Sequence, residues 1–182
     1  MTTRRWLIAC ALSMMSLVSI AGQQTIAPER VDVEDADTLL VQVGGSSYRV
    51  QLPGVDAPES VMNPKLQRDI GRTGLSADLL LPLGQAAVTG LQQLLPSFQP
   101  YRLVFDPEAK DRYGRTPGDL VDDQGVSLSL RLVEAGFAVP ARPAATREQA
   151  LRDAAARARQ GRRGLWQSHP EAAAAWAGPI VP

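Results

Sequence analysis

Three carboxylates and one guanidinium sit where chemistry is possible. Asp37 lies in "EDADT" (34–38), Asp56 and Glu59 in "GVDAPE" (54–59), and Arg115 in "DRYGR" (111–115). Two carboxylates with a backbone carbonyl and water form a hard-oxygen set suited to Ca²⁺. Asp37 and Asp56 can supply the carboxylates if a hairpin between them returns both to one end of a sheet. A softer metal lacks ligands. The one histidine, His169, lies near the C-terminus, and the one cysteine, Cys10, lies in the N-terminal apolar run. Glu59 follows Asp56 across Pro58, whose ring fixes the backbone between them. Each acid could equally be a turn residue accepting backbone N–H groups. Arg115 could be part of an ordinary hairpin turn. It also has the planar, permanently charged fork that meets phosphate oxygens two at a time.

The elements that must hold these groups read as follows. "VDVEDADTLLVQV" carries Leu39, Val41 and Val43 in alternation, a strand pattern. "GGSS" (44–47) is a hairpin turn. "YRVQL" follows, with Tyr48, Val50 and Leu52 on one face and Arg49 and Gln51 on the other. These segments form an antiparallel meander. Residues 60–80, with Pro64, Gly71 and Gly74, read as a long loop. "LGQAAVTGLQQLLPSF" has helical spacing and a stop at Pro96. "YRLVF" (101–105) and "GDLVD" read as strands, and "VSLSLRLVEAG" as a helix ended by Gly136. "TREQALRDAAARARQG" is a helix with a Thr146/Gln149 capping box and a stripe of Leu151, Ala154, Ala155 and Ala158. Strands and helices without a βαβ rhythm give an α+β class. Five short strands interrupted by a helix suit a partly open OB-type barrel.

Residues 1–22 read as a signal peptide. Arg4 and Arg5 precede an apolar run from Trp6 to Gly22, no acid appears before Glu29, and Ser19-Ile20-Ala21 offers a cleavage site. An uncleaved anchor is the alternative. Residues 23–30 read as an extended leader and 167–182 as a mobile tail. The chain carries 19 basic and 19 acidic residues, and losing Arg4 and Arg5 leaves 17 against 19, a net −2. That balance argues against a bulk nucleic-acid coat. Between Arg142 and Arg163, however, seven arginines face two acids. This segment is either a solvated helix face or a patch that steers nucleic acid.

"DADT", "GVDAPE", "DRYGR", "LVEAGFA" and "ARARQGRRGLW" occur in that order, and the set resembles the staphylococcal nuclease (thermonuclease) family over about residues 31–166. The resemblance implies a five-stranded OB-type barrel with about three helices. It implies Ca²⁺-dependent hydrolysis of DNA and RNA phosphodiesters, with single-stranded nucleic acid as substrate. Asp37, Asp56 and the Ala57 carbonyl would be the metal ligands, Glu59 would handle the attacking water, and Arg115 would hold the phosphate. The family places an arginine five residues before the aspartate of "DAPE"; here that position is Gln51, which can donate hydrogen bonds but no charge. Arg49, two residues earlier on the same face, is the other candidate phosphate contact. Ala36 stands where the family usually has glycine, so a positive φ there would be strained. The expectation is an exported, monomeric Ca²⁺-dependent nuclease, weakened at Gln51. The alternatives are a non-catalytic OB-type module binding nucleic acid, nucleotide or protein, and a metal-stabilised structural domain.

Overall fold

A computed structural model describes residues 22–141 and 148–178. Residues 1–21 of the signal-peptide segment, Arg142, Thr146 and Arg147 therefore lie outside the described residues.

Strands β1 (Gln24–Ile26), β2 (Arg30–Asp35), β3 (Thr38–Val43), β4 (Ser46–Gln51) and β5 (Val55–Asp56) come first. Helices α1 (Pro64–Thr73) and α2 (Ala77–Ser97) follow, then β6 (Tyr101–Phe105) and β7 (Thr116–Asp122). The chain continues with α3 (Leu128–Glu134), β8 (Val139–Pro140), α4 (Glu148–Gln160), α5 (Leu165–Ser168) and α6 (Pro170–Ala177). The class is α+β, as the patterning predicts. The main sheet is mixed and six-stranded, in the order β1-β6-β7-β4-β3-β2, and β5 pairs with β8 separately.

The meander is antiparallel through β2, β3 and β4. Its β3–β4 turn uses Gly44 and Gly45 at φ 56° and 75°, the left-handed pair a tight hairpin needs. Parallel pairing of β4 with β7 (Val50↔Thr116, Gln51↔Pro117) joins the meander to the second half of the chain. Apolar side chains of the strands (Leu39, Val41, Val50, Leu103, Leu120) meet Leu83, Ala87 and Leu91 of α2, Leu132 of α3 and Ala154 and Ala158 of α4 in one core.

The extended leader contains β1, which pairs with β6 (Gln24↔Phe105). Three expectations are corrected. The stretch 60–80 is not a long loop but holds α1 and the start of α2. Asn63 caps α1 by accepting from the Lys65 and Leu66 N–H groups at 2.9 Å each, Pro64 opens it, and Gly74 at φ 70° closes it. The described part of the tail is not mobile chain but largely helix: α6 buries Ala173, Trp176 and Ala177 against the core. Ala36 is fully buried without backbone strain, since Arg162 is the one non-glycine with positive φ among the described residues.

Candidate active site

Strand register builds one end of the sheet into a site. The β2–β3 turn delivers Asp37. The β3–β4 register sets Thr38 opposite Gln51, and the β4–β7 register sets Gln51 beside Pro117. Arg115, two residues before Pro117, is thereby carried to the same end. The Leu52 N–H donates to the Asp37 carbonyl at 2.9 Å and continues the ladder past the strand ends. β5 then returns the chain with Asp56, and the Ala57 N–H donates to Asp37 Oδ2 at 3.4 Å.

The acids converge on a residue the sequence reading did not select. Lys65, in the first turn of α1, puts Nζ 2.9 Å from Asp56 Oδ1, 2.7 Å from Glu59 Oε1 and 2.6 Å from the Ala57 carbonyl. Burial works against the ammonium, but Asp56 and Glu59 outweigh it and hold Lys65 above the usual lysine range. Asn63 ties the cluster to the helix, because its amide donates to Glu59 Oε2 while its oxygen caps α1. Asp69, one helical turn beyond Lys65, anchors α1 through Arg72 (2.9 Å) and the Trp176 indole N–H of α6 (3.1 Å). Behind Glu59 lies Gly84 of α2, where a Cβ would fall 2.1 Å from the Glu59 carbonyl oxygen. Only glycine lets α2 approach this backbone so closely.

Asp37 and Glu59 are both buried, at 8% exposure. Burial raises the Asp37 carboxyl; Lys65 offsets part of that rise, and Asp56 and Glu59 add to it. Burial also pushes Asp35 up to about 6, with the Ala36 N–H opposing and Glu59 and Asp37 reinforcing the shift. Four acids crowded together raise each other's cost of ionisation unless a cation sits among them.

Thr38 is the second residue the reading missed. Its hydroxyl lies 3.1 Å from Asp37 Oδ1, 3.2 Å from Gln51 Oε1 and 3.5 Å from Arg115 Nη1, linking the acid side to the arginine side. Arg115 is aimed by Asp111. Asp111 Oδ2 accepts from Arg115 Nε at 2.8 Å, and Oδ1 accepts the backbone N–H groups of Tyr113 and Arg115. Arg49 points elsewhere, in a two-bond pair with Glu34 on the exposed face of the sheet. Gln51 Nε2 donates to the Leu52 carbonyl at 3.3 Å.

Lys65 could have been suspected from "NPK", a cap, a helix-starting proline and a cation four to seven residues after the acid motif; reading 60–80 as loop hid it. Thr38 carries no signal apart from its place after Asp37. His169 hydrogen-bonds Ser168 at the α5–α6 junction. In the basic segment, Arg157 pairs with Glu134, Arg163 bonds the Glu134 carbonyl and Arg159 lies over Trp166. Those contacts give three of the arginines structural partners.

Among the described residues, no three His, Cys, Asp or Glu side chains are grouped to hold a metal ion on their own. The donor chemistry nonetheless fits a hard cation. Two carboxylates and a carbonyl already surround one positive charge, the Lys65 ammonium, with Asp37 held alongside through Ala57.

Comparison with known proteins gives this end of the sheet a family. A thermonuclease from Staphylococcus intermedius is 31% identical over 126 residues, covering 63% of this chain and 66% of that protein. Endonuclease YhcR of Bacillus subtilis (strain 168) is 29% identical over 143 residues, covering 75% of this chain and 11% of that protein. A thermonuclease from Staphylococcus hyicus is 34% identical over 100 residues, covering 54% and 49%. The chain thus spans just under two thirds of the first relative and less of the other two. The family model described as Staphylococcal nuclease homologue matches residues 49–168, from β4 through α5. That segment takes in Gln51, Asp56, Glu59, Lys65 and Arg115 and leaves Asp37 just outside, and on this match the chain belongs to the staphylococcal nuclease homologue family.

Proposed function

We propose that the protein is a Ca²⁺-dependent nuclease that hydrolyses phosphodiester bonds of single-stranded DNA or RNA. The observation that carries this reading is the convergence of Asp56, Glu59 and the Ala57 carbonyl on one cation, beside buried Asp37, in a chain whose named relatives are nucleases. Asp37, Asp56 and the Ala57 carbonyl would hold the Ca²⁺. Bound there, the ion would polarise the phosphate and neutralise charge on it. Glu59 orients the attacking water and takes its proton; Asn63 holds its carboxylate, and Gly84 packs against its backbone. Arg115, aimed by Asp111, binds the phosphate and stabilises the negative charge that grows in the transition state. Gln51 occupies the neighbouring position without a charge, which weakens the enzyme. Arg49 does not replace it, being committed to Glu34.

The expected count of five strands gives way to the six of the main sheet; closure of that sheet into an OB-type barrel, export after removal of residues 1–22, and a monomeric state belong to the same proposal. No helix among the described residues is long and apolar enough to cross a membrane. A second reading, a non-catalytic nucleic-acid, nucleotide or protein-binding module, draws on neutral Gln51 and on Lys65 at the focus of the acids. Purified protein incubated with single-stranded DNA or RNA decides between them. Cleavage with Ca²⁺ that stops in EDTA is expected. Equal cutting in chelator removes the metal role, and folded protein that cuts nothing at any Ca²⁺ concentration selects the binding module.

A further inference from the structure

The sequence contains seventeen arginines and only two lysines, Lys65 and Lys110. One of these two lies at the centre of the carboxylate cluster, and the type of cation matters there. An ammonium is a compact charge with three donors, whereas a guanidinium is a flat fork. The three acceptors at 2.6–2.9 Å, two carboxylates and a carbonyl, match those three donors in number. They are also the kind of oxygens that surround a Ca²⁺ ion at about 2.3–2.6 Å. Lys65 is rigidly supplied. Asn63 caps its helix and grips Glu59, while Asp69 ties the next turn to Trp176 and Arg72.

We infer that Lys65 is a tethered cation that holds the divalent-metal site closed, so that Ca²⁺ enters only by displacing its ammonium from Asp56 and the Ala57 carbonyl, the two groups it shares with the proposed ligand set. The inference rests on the reading of those oxygens as a metal site. Without metal, Lys65 neutralises acids that would otherwise repel one another in a partly buried cluster, and so supports the fold. With metal, two cations cannot share the Asp56 carboxylate and the Ala57 carbonyl, so the ammonium must leave both and swing out toward solvent. Its side chain is 30% exposed, which leaves it an exit. The lysine therefore raises the Ca²⁺ concentration that the protein requires.

Two measurements on the full chain test this. The first needs no variant. Brief acetylation of wild-type protein, read by mass spectrometry, compares Lys65 with exposed Lys110 as internal standard. Without Ca²⁺, Lys65 should react about tenfold or more slower than Lys110, and saturating Ca²⁺ should remove most of that difference, the change expected when charge-assisted bonds are released. The second is Ca²⁺ titration by calorimetry of wild type and Lys65→Met, with circular dichroism to establish folding. Removing the competitor should tighten Ca²⁺ binding by about tenfold or more. Binding by Lys65→Met where wild type binds none also supports the inference. Ca²⁺ binding to wild type with Lys65 still protected, or with equal affinity in folded Lys65→Met, overturns the inference and leaves the metal site standing. No Ca²⁺ binding by either protein overturns both.

Discussion

On the α1 side of the site, one ammonium touches three oxygens at 2.6–2.9 Å; on the β7 side, Arg115 reaches Thr38 only at 3.5 Å. The two halves are built by different means. The acids are carried by backbone that has little freedom: a ladder extension at Asp37, a two-residue strand at Asp56, Pro58, and a glycine contact behind Glu59. Arg115 stands on a loop, and one carboxylate, Asp111, aims it. The acid half already holds one cation from inside the protein, the Lys65 ammonium. The arginine half has one cation, Arg115, with neutral Gln51 on the neighbouring strand. A buried group of like charges cannot be left without a counter-charge, whereas the Arg115 guanidinium, 23% exposed, is already paired with Asp111.

The comparison breaks most visibly at its two chemical ends. Arg115→Ala should cost the largest factor, about 10³–10⁵ in kcat, because no second arginine on the strand face shares its load. Glu59→Gln should cost about 10²–10⁴ in kcat. Single-turnover kinetics on a defined oligonucleotide measure both. Should Arg115→Ala lose less than tenfold, the phosphate is held elsewhere and the assignment of the β7 side is wrong.

Gln51→Arg sharpens the comparison from the other direction. Restoring a charge opposite Thr38 should raise kcat/KM about tenfold, or ~1.4 kcal/mol of transition-state stabilisation. Arg49→Ala should change kcat/KM less than about threefold, since that arginine is held by Glu34 and an exposed pair contributes little. The reverse pattern, no gain at position 51 and a large loss at 49, would mean that Arg49 leaves Glu34 when substrate binds.

The smallest expected effect concerns Asp111. Burial would raise its carboxyl, but the Arg115 and Tyr113 N–H groups and the Arg115 guanidinium outweigh that and hold it below the ordinary 3.8. A carboxyl depressed in the folded state contributes stability above its unfolded pKa, and that contribution is lost as pH falls through the lower folded value. Asp111→Asn should therefore lower Tm by about 1–3 °C at pH 7 and leave it unchanged near pH 2. An equal deficit at both pH values would show that shape, not charge, sets the loop.

Much of this was legible in residue order. Alternation placed β3 and β4, Gly44-Gly45 marked their turn, "YRLVF" coincides with β6, and the alanine stripe of α4 is buried as expected. Those signals are local: a period of two or 3.6, or a glycine at a turn. Motif order likewise pointed to Asp37, Asp56, Ala57, Glu59 and Arg115, which the strand register gathers at one sheet end. What misled was local as well. Gly71 and Gly74 disguised α1, and the alanine-rich end looked mobile because nothing in its own composition shows that Trp176 reaches Asp69, 107 residues away. Pairings at that separation leave no periodicity behind. The same holds for the parallel β4–β7 contact that brings Arg115 beside Gln51, for the diversion of Arg49 to Glu34, and for the placement of Lys65 among the acids. The sequence by itself determined which charges are present and which segments become strand or helix. Only the tertiary structure decided which charges meet, because an ion pair depends on where two segments dock, and that is set by the packing of the whole core.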